Sequence, residues 1–223
     1  MKREIIKEFD MLGDALSTLN AQFAYRLMNL CVKAEPVSLL SIEAMIEGES
    51  QKLEDCTQIG KEDDYSFQIF PNYEGDIPAL AQAIFMDHPE FKQEMKTMQV
   101  DISTEEDKSD MQDVHYIQVT MPEVDDDRYD VLKNGVKAIY EENKAQMEAV
   151  SAKYDAKLAK LLDGESDEDI KKVKEARDKQ TKMWYEQRDL LYNEKIKEIE
   201  EAHDKWQMEQ KKEKLNRLKG ISQ

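Results

Sequence analysis

The sequence has few of the residues that cross-link small secreted proteins or shape catalytic loops: two cysteines, five prolines and seven glycines among 223 residues. Cys31 and Cys56 form no CxxC pair and predict no disulfide framework, and the charged first residues do not resemble a secretory signal. No apolar run approaches the ~20 uninterrupted residues of a membrane span. We therefore expect a reduced, cytoplasmic protein that has no membrane role.

Patterns typical of enzymes and metal sites are also missing. His88, His115 and His203 lack HxxxH or HExxH spacing, and the aspartates at 125–127 lack the central glycine of an EF-hand loop. No nucleophile, base and orienting group assemble in the sequence, and the few glycines leave little material for a phosphate-binding loop. We expect no metal ion, no cofactor and no enzymatic activity, and we expect His203 to be packed between helices.

Acidic charge dominates the chain, but only locally. The formal net charge of −17 argues by itself against a nucleic-acid partner. Residues 43–130 contain 24 Asp and Glu against 6 Lys and Arg, so the acidity belongs to the middle of the chain. The stretch from Lys205 to Lys219 is basic instead. It has two open interpretations, an RNA contact or a solvated helix end stabilised by the helix dipole.

Helical periodicity marks a first long segment at the start of the chain. Apolar residues recur there in steps of three and four, which predicts a single buried seam over roughly seven turns. Pro36 is expected to end this helix, because the residue before a proline avoids the helical region. The seam consists of Ile5, Phe9, Leu12, Leu16, Leu19, Phe23, Leu27 and Leu30.

Two more long helices are predicted after Pro122, the first with Asn143 as the polar residue on its apolar seam. Ser166 is expected to cap the last helix, with Asp169 three residues later as the acid of a capping box. Three helices joined by short or hinged connections predict an antiparallel bundle. Their apolar positions are Leu132, Val136, Ile139, Met147, Val150, Tyr154, Leu158 and Leu161, then Ile170, Val173, Trp184, Leu191, Ile196, Ile199 and Trp206.

Between Pro36 and Pro122 the period changes to that of strands. Three alternating runs are interpreted as half-buried strands, a helix is predicted from Ile77 to Met86, and residues 101–113 are expected to form an exposed acidic loop. The runs are Leu40, Ile42, Ala44 and Ile46; Tyr65, Phe67 and Ile69; and Ile117, Val119 and Met121, while the helix face is Leu80, Ala81, Ile84 and Phe85.

The predicted fold class is therefore α+β. A long antiparallel three-helix bundle is formed by residues 1–34 and 123–223, and a small β-rich domain of residues 35–122 is inserted between helices one and two.

Five short segments resemble, in order and spacing, those of one known family, ribosome recycling factor. Together they cover most of residues 1–200. The segments are Ala34 to Leu40, similar to the family's Ala-His-Pro-Ser-Leu-Leu; Ala83 to Asp87, similar to Lys-Ala-Ile-Met-x-Ser-Asp; Val119 to Pro122, similar to Val-Pro-Leu-Pro; Asp126 to Leu132, similar to Thr-Glu-Glu-Arg-Arg-Lys-x-Leu; and Glu165 to Asp169, similar to Ile-Ser-Glu-Asp.

The resemblance implies a translation protein rather than an enzyme. A bundle would lie on the large ribosomal subunit after termination, and a translocation GTPase would push against a mobile second domain hinged at Pro36 and Pro122. We expect a monomer. The residues expected to contact RNA are Lys33, Arg128, Lys144, Lys211, Lys212, Lys214 and Arg217.

The chain departs from the family where the family binds RNA through arginines. Of the family's Arg-Thr-Gly-Arg run before the first hinge, only Lys33 keeps a positive charge here, and in the run at 144–152 Lys144 remains while Glu148 reverses a charge. Lysine lacks the planar fork that binds phosphate through two hydrogen bonds, and glutamate repels phosphate. The alternative prediction is therefore a diverged paralogue that has lost recycling activity and binds an unidentified protein partner.

Overall fold

The computed structural model of the protein describes residues 3–101 and 111–220, and helices account for most of them. The helices are α1 (Arg3–Met28), α2 (Val37–Leu40), α3 (Leu53–Cys56), α4 (Ile77–Asp87), α5 (Asp126–Leu161) and α6 (Asp167–Gly220). The strands are β1 (Glu43–Ile46), β2 (Glu49–Lys52), β3 (Thr57–Asp63), β4 (Ser66–Pro71), β5 (Lys92–Asp101) and β6 (Met111–Thr120).

The described residues divide into two compact units. The helical unit contains residues 3–30 and 125–220, and the mixed unit contains residues 31–101 and 111–124. The α+β class is confirmed, since long helices accompany two small sheets. The predicted domain boundaries, 1–34 with 123–223 against 35–122, stay a prediction.

In the helical unit, α1, α5 and α6 share one apolar interior. Near one end, Ile5 packs with Leu158, Leu162 and Val173. Further along α1, Leu12 and Leu16 pack with Met147 and Tyr154 of α5 and with Trp184 and Tyr185 of α6. Later residues of α1 therefore pack against earlier residues of α5, so these two helices run in opposite directions.

The first helix ends earlier than the sequence predicts. It stops at Met28 rather than at Pro36, and Leu30 lies beyond it. Cys31 and Ala34 are buried in the core of the mixed unit, so the chain must leave the helical direction before it reaches them. Burial of these residues, not the backbone of Pro36, sets the end of the helix.

The start of α6 agrees with its predicted cap. The Asp169 backbone N–H donates to Ser166 Oγ at 3.2 Å, which makes Ser166 the N-cap. The second bond differs from a capping box, because the Ser166 hydroxyl itself donates to the Asp169 carboxylate at 2.9 Å. The Asp169 carboxylate therefore holds the Ser166 side chain in place. In a capping box it would instead accept a hydrogen bond from a backbone N–H group.

A glycine inside α5 offers a simple test of the helix packing. Gly135 has no turn or positive φ to explain it, and a Cβ placed there would lie 3.6 Å from a methyl group of Leu30. That distance is an ordinary contact, so alanine should fit while reducing the freedom of the unfolded chain. We expect Gly135→Ala to raise the free energy of unfolding by about 0.5–1 kcal/mol in chemical denaturation. A loss of stability would mean that Leu30 approaches α5 more closely than described.

The mixed unit contains a hairpin and a four-stranded antiparallel sheet. Strands β1 and β2 are joined by Glu47 and Gly48, whose φ angles of 52° and 87° are those of a two-residue type I′ turn. The larger sheet has the order β3-β4-β6-β5, which leaves β3 and β5 at its edges. Helix α4 and both sheets enclose an apolar core that includes Leu39, Phe67 and Leu80.

Six strands are found among the described residues of this unit, where three were predicted. The missed strands β2, β3 and β5 are mainly exposed, so they carry little of the apolar alternation that marks a half-buried strand. The first predicted run was wrong at Leu40, which lies in α2, while Ile42, Tyr65 and Met121 fall just outside β1, β4 and β6. Tyr65 lies in the turn before β4, and the Met121 backbone N–H donates to its carbonyl oxygen at 2.7 Å.

Two further predictions for the mixed unit need correction. Asp101 and residues 111–113 lie in the paired strands β5 and β6 instead of an exposed loop, and residues 102–110 lie outside the described residues. Helix α4 is found as predicted and buries Leu80 and Ile84, but Phe85 is 55% exposed. Phe85 follows Ile84 by one residue, about 100° around the helix, and so leaves the buried face.

Candidate nucleic-acid interface

Arg128 lies in the first turn of α5, among acidic residues. The Asp125 carboxylate caps this helix by accepting a 2.8 Å hydrogen bond from the Arg128 backbone N–H. Asp126 and Asp127 follow in the same turn, where negative charge stabilises the positive end of the helix dipole. The same carboxylates repel an approaching phosphate, so Arg128 stands in an unfavourable position for binding RNA.

Lys144 lies in the middle of α5, 16 residues after Arg128 and about 24 Å further along the helix axis. Its side chain is half-buried, and Glu141 and Glu148 occupy neighbouring positions three residues before and four after it. The structure therefore does not bring Lys144 and Arg128 together. A nucleic-acid strand that touched both would have to follow the length of the helix.

Lys33 belongs to the mixed unit rather than to the helices. Its neighbours Val32 and Ala34 are buried, and the Ala34 backbone N–H donates to the carbonyl oxygen of Asp64 at 2.8 Å. The Lys33 side chain is half-buried. It extends from a segment that is bonded to the turn between β3 and β4, so its position is fixed by the fold of the mixed unit.

The remaining predicted cations lie on the last turns of α6. His203 of α6 contacts Asp126, the first residue of α5, at 2.9 Å, so residues 204–220 extend about 25 Å beyond the start of α5. Arg217 forms an exposed ion pair with Glu213 at 3.4 Å. Of the predicted cations, this segment alone holds several close together: Lys211, Lys212, Lys214 and Arg217, all exposed.

The two predicted hinge residues lie near the borders of the mixed unit. Pro36 precedes the short helix α2 and has helical backbone angles. Pro122 follows β6, four residues before α5 begins. Their role as hinges stays a prediction.

Several other cations of the helical unit are paired with carboxylates on a neighbouring helix. Arg26 contacts Glu142 at 2.8 Å, and Lys157 contacts Glu8 at 3.0 Å. Arg177 binds both carboxylate oxygens of Asp155. Burial alone would lower the pKa of Arg177, but its hydrogen bonds to Asp155 and Asp178 and the negative charge of both carboxylates together raise it. A phosphate would have to compete with these bonds, so such cations contribute to helix packing before they can contribute to binding.

His203 is packed, as predicted. Its ring stacks on Tyr129 at 4.2 Å between centroids and on Trp206 at 5.9 Å, and Nε2 contacts the Asp126 carboxylate. The ring thus joins the first turn of α5 to α6.

The sequence did not point to a buried polar layer across the three helices. Asn20 Nδ2 donates to the Trp184 carbonyl oxygen at 2.9 Å, and Asn143 Nδ2 donates to the Leu19 carbonyl oxygen at 3.0 Å. Arg188 is 5% exposed and lies over the ring of Tyr140 at 4.7 Å. In the sequence, only Asn143 on the α5 seam indicated a buried polar residue. Nothing in the sequence indicated that Arg188 is buried.

Tyr140 is the titratable member of this layer. Its hydroxyl donates to Asp189 Oδ1 at 2.8 Å and accepts from Arg188 Nη2 at 3.2 Å. Burial, followed by the hydrogen bond to Asp189, raises the pKa of Tyr140 above its usual value. The phenol is therefore held neutral, as a hydrogen-bond donor inside the helical unit.

Within residues 3–101 and 111–220, no group of three or more His, Cys, Asp or Glu side chains is placed to hold a metal ion. In the same part of the chain, no helix combines the length and apolar character needed to cross a membrane.

The chain thus defines an α+β protein in which a unit of three contacting helices accompanies a small unit with two sheets. No protein-family model and no curated protein sequence matches it. Among solved structures it is similar to a ribosome recycling factor determined in solution, with a TM-score of 0.69 and 17% identity over 90% of this chain and 100% of that one.

A second similar structure is the T. thermophilus ribosome recycling factor in a complex of that factor and E. coli elongation factor G bound to the E. coli post-termination complex. The TM-score is 0.55, with 17% identity over 87% of this chain and 98% of that one. The resemblance to ribosome recycling factor predicted from the sequence is therefore confirmed at the level of the fold.

Proposed function

We propose that the protein is a non-catalytic translation factor, similar to ribosome recycling factor, that binds the large ribosomal subunit after termination. The observation that carries this proposal is the extent of the likeness, because the alignment spans both units and the whole length of the first similar structure. Fold alone does not specify function, so the proposal depends on a ribosome-binding surface that experiments can test.

The proposed architecture follows from the same likeness. Helices α1, α5 and α6 form an antiparallel three-helix bundle, and residues 35–122 form the inserted domain, connected at Pro36 and Pro122. The partners are the large subunit and a translocation GTPase. The site of action is the cytoplasm, where ribosomes work.

The proposed RNA contacts are concentrated at the end of α6, with weaker contributions from Lys33, Arg128 and Lys144. The exposed cations Lys211, Lys212 and Lys214 release counterions when they approach phosphate, which makes binding depend on salt. Lys144 and Arg128 lie beside carboxylates, and this should lower what each contributes.

A diverged paralogue without recycling activity is the second candidate. It is favoured by the charge of the mixed unit, where residues 31–124 hold 21 acidic against 6 basic residues. Such a surface suits a basic protein partner better than RNA. In this reading the helices support the acidic unit and do not contact the ribosome.

Sedimentation with purified ribosomes over a series of salt concentrations separates the two candidates. We expect co-sedimentation at low salt that falls as salt rises, and a clear reduction when the chain is truncated before Lys205. Lys33→Glu combined with Lys144→Glu should weaken binding further, by about tenfold or more if both side chains approach phosphate.

The matched control is Lys171→Glu combined with Lys182→Glu, which makes the same change in charge on α6 at side chains 77% and 75% exposed. Equal losses from both pairs would indicate a general charge effect. Failure to sediment with ribosomes even at low salt would overturn the proposed translation role and favour the paralogue.

A further inference from the structure

The end of α6 has an apolar stripe that its proposed RNA contacts do not use. Met208, Leu215 and Leu218 are 56%, 52% and 64% exposed. Their spacing of seven and three residues places them on one side of the helix. Apolar side chains gain little against phosphate, so the stripe calls for a partner that also offers an apolar surface.

Cations border this stripe, while acids lie away from it. Lys211 stands between Met208 and Leu215 at helical spacings of three and four, and Lys214 precedes Leu218 by four residues. Glu209 and Glu213 fall about 100–140° around the helix from Met208. A basic, amphipathic helix of this kind suits a groove that is both apolar and acidic.

The mixed unit of the same protein has such a groove. A concave region of about 430 Å³ is lined by the acidic residues Glu47, Asp55 and Asp76, and the exposed Tyr73 ring supplies its accessible apolar surface. The Tyr73 ring is 76% exposed, which leaves an aromatic surface without cover among the described residues. This acidic groove lies in the unit that has 21 acidic against 6 basic residues.

We propose that the end of α6 of one molecule docks in the acidic groove of a second copy, so that two copies form a reciprocal dimer. Charge complementarity selects this pairing, because two mixed units repel each other and so do two basic helix ends. In such a dimer each copy supplies one helix end and one groove, so the same contact is made twice.

The dimer would compete with RNA for the same lysines. Ribosome-free protein would then be stored as a dimer at low salt, and the monomer expected from the resemblance would return when the helix end meets phosphate or when salt screens the contact. Self-association and ribosome binding are separate measurements, so either can fail without the other.

Charge reversal on each side of the contact gives a sharp test by light scattering on full-length, nuclease-treated protein. Wild-type protein should be dimeric at low salt and monomeric at high salt. Lys211→Glu with Lys212→Glu should weaken dimerisation about tenfold or more, and Asp55→Lys with Asp76→Lys should do the same. Circular dichroism checks that each variant remains folded.

Mixing the two variants provides the decisive step. The acidic helix end of the helix-end variant complements the basic groove of the groove variant. The unchanged basic helix end of the groove variant complements the unchanged acidic groove of the helix-end variant. The mixture should therefore form heterodimers, although neither variant dimerises alone. Lys171→Glu with Lys182→Glu is the control with equal charge and should leave dimerisation unchanged. A monomeric wild type at low salt, a helix-end or groove variant that still dimerises, or a mixture that stays monomeric would each overturn the proposal.

Discussion

Phe23→Ala is expected to lower the free energy of unfolding of the helical unit by about 3–5 kcal/mol. The Phe23 side chain is 1% exposed, and its ring meets Tyr140 of α5 edge to face at 6.4 Å between centroids. Truncation removes this aromatic contact and leaves a cavity that packed helices fill only in part. A loss of this size is a large part of the stability of an ordinary domain.

Tryptophan fluorescence can follow this unit by itself in urea, because both tryptophans of the chain, Trp184 and Trp206, lie on α6. The matched control is Tyr25→Ala, two residues away on the same helix at a side chain 47% exposed. We expect that control to cost less than about 1 kcal/mol. Similar losses for both variants would contradict the packing described for α1.

The long helices could be predicted from sequence because their apolar residues repeat over many turns, and the polar Asn143 on the α5 seam does not break the repeat. The buried residues Leu12, Leu16, Val136 and Leu158 all occupy predicted seam positions. The end of α1 could not be predicted in the same way. It depends on Cys31 and Ala34 being buried in a core made mostly of residues far away in the chain.

The small strands were harder to predict because burial, which creates the alternating pattern, is weak in them. Every residue of β5 except Gln93 and Val100 is exposed, so pairing with β6 determines the strand and its own side chains do not. Turn chemistry was the signal available for β1 and β2, since Glu47-Gly48 resembles the Asp-Gly pairs of two-residue hairpins.

Prediction from sequence was limited in the same way for the candidate interface. Sequence could identify Lys33, Arg128 and Lys144 as positively charged residues, but it could not show that Lys33 lies in a different unit or that Arg128 and Lys144 are far apart. The cations at the end of α6 were predictable as a group, because neighbours in sequence on one helix stay neighbours in space. Residues brought together from different elements require the fold.

Asp189→Asn is expected to destabilise the helical unit by about 1–3 kcal/mol. Arg188 is a cation with a side chain only 6% exposed, and Asp189, whose own side chain is 48% exposed, is the carboxylate that balances it. Arg188 donates from Nε at 2.9 Å and from Nη2 at 2.7 Å to the same Oδ1 atom. Removing the negative charge leaves a buried guanidinium with neutral acceptors, which costs far more than the loss of a surface ion pair.

Glu186→Gln is the matched control, since Glu186 pairs with Lys182 on the same helix at 3.7 Å with both side chains mainly exposed. It should cost less than about 1 kcal/mol. Both variants replace a carboxylate by the corresponding amide, so a difference between them measures burial of the partner rather than the chemistry of the change.

Arg188→Met is the complementary test, because it removes the buried positive charge itself, whereas Asp189→Asn removes the negative charge of its partner. Methionine can occupy the space between the rings of Tyr140 and Tyr185, over which the guanidinium lies at 4.7 Å and 5.1 Å. It also removes Nη1, a buried donor that lacks a partner among the described residues. We therefore expect Arg188→Met combined with Asp189→Asn to be more stable than Asp189→Asn alone in the same urea titration. If the double variant were less stable than either single variant, the layer would depend on the arginine for packing and not on the balance of charge.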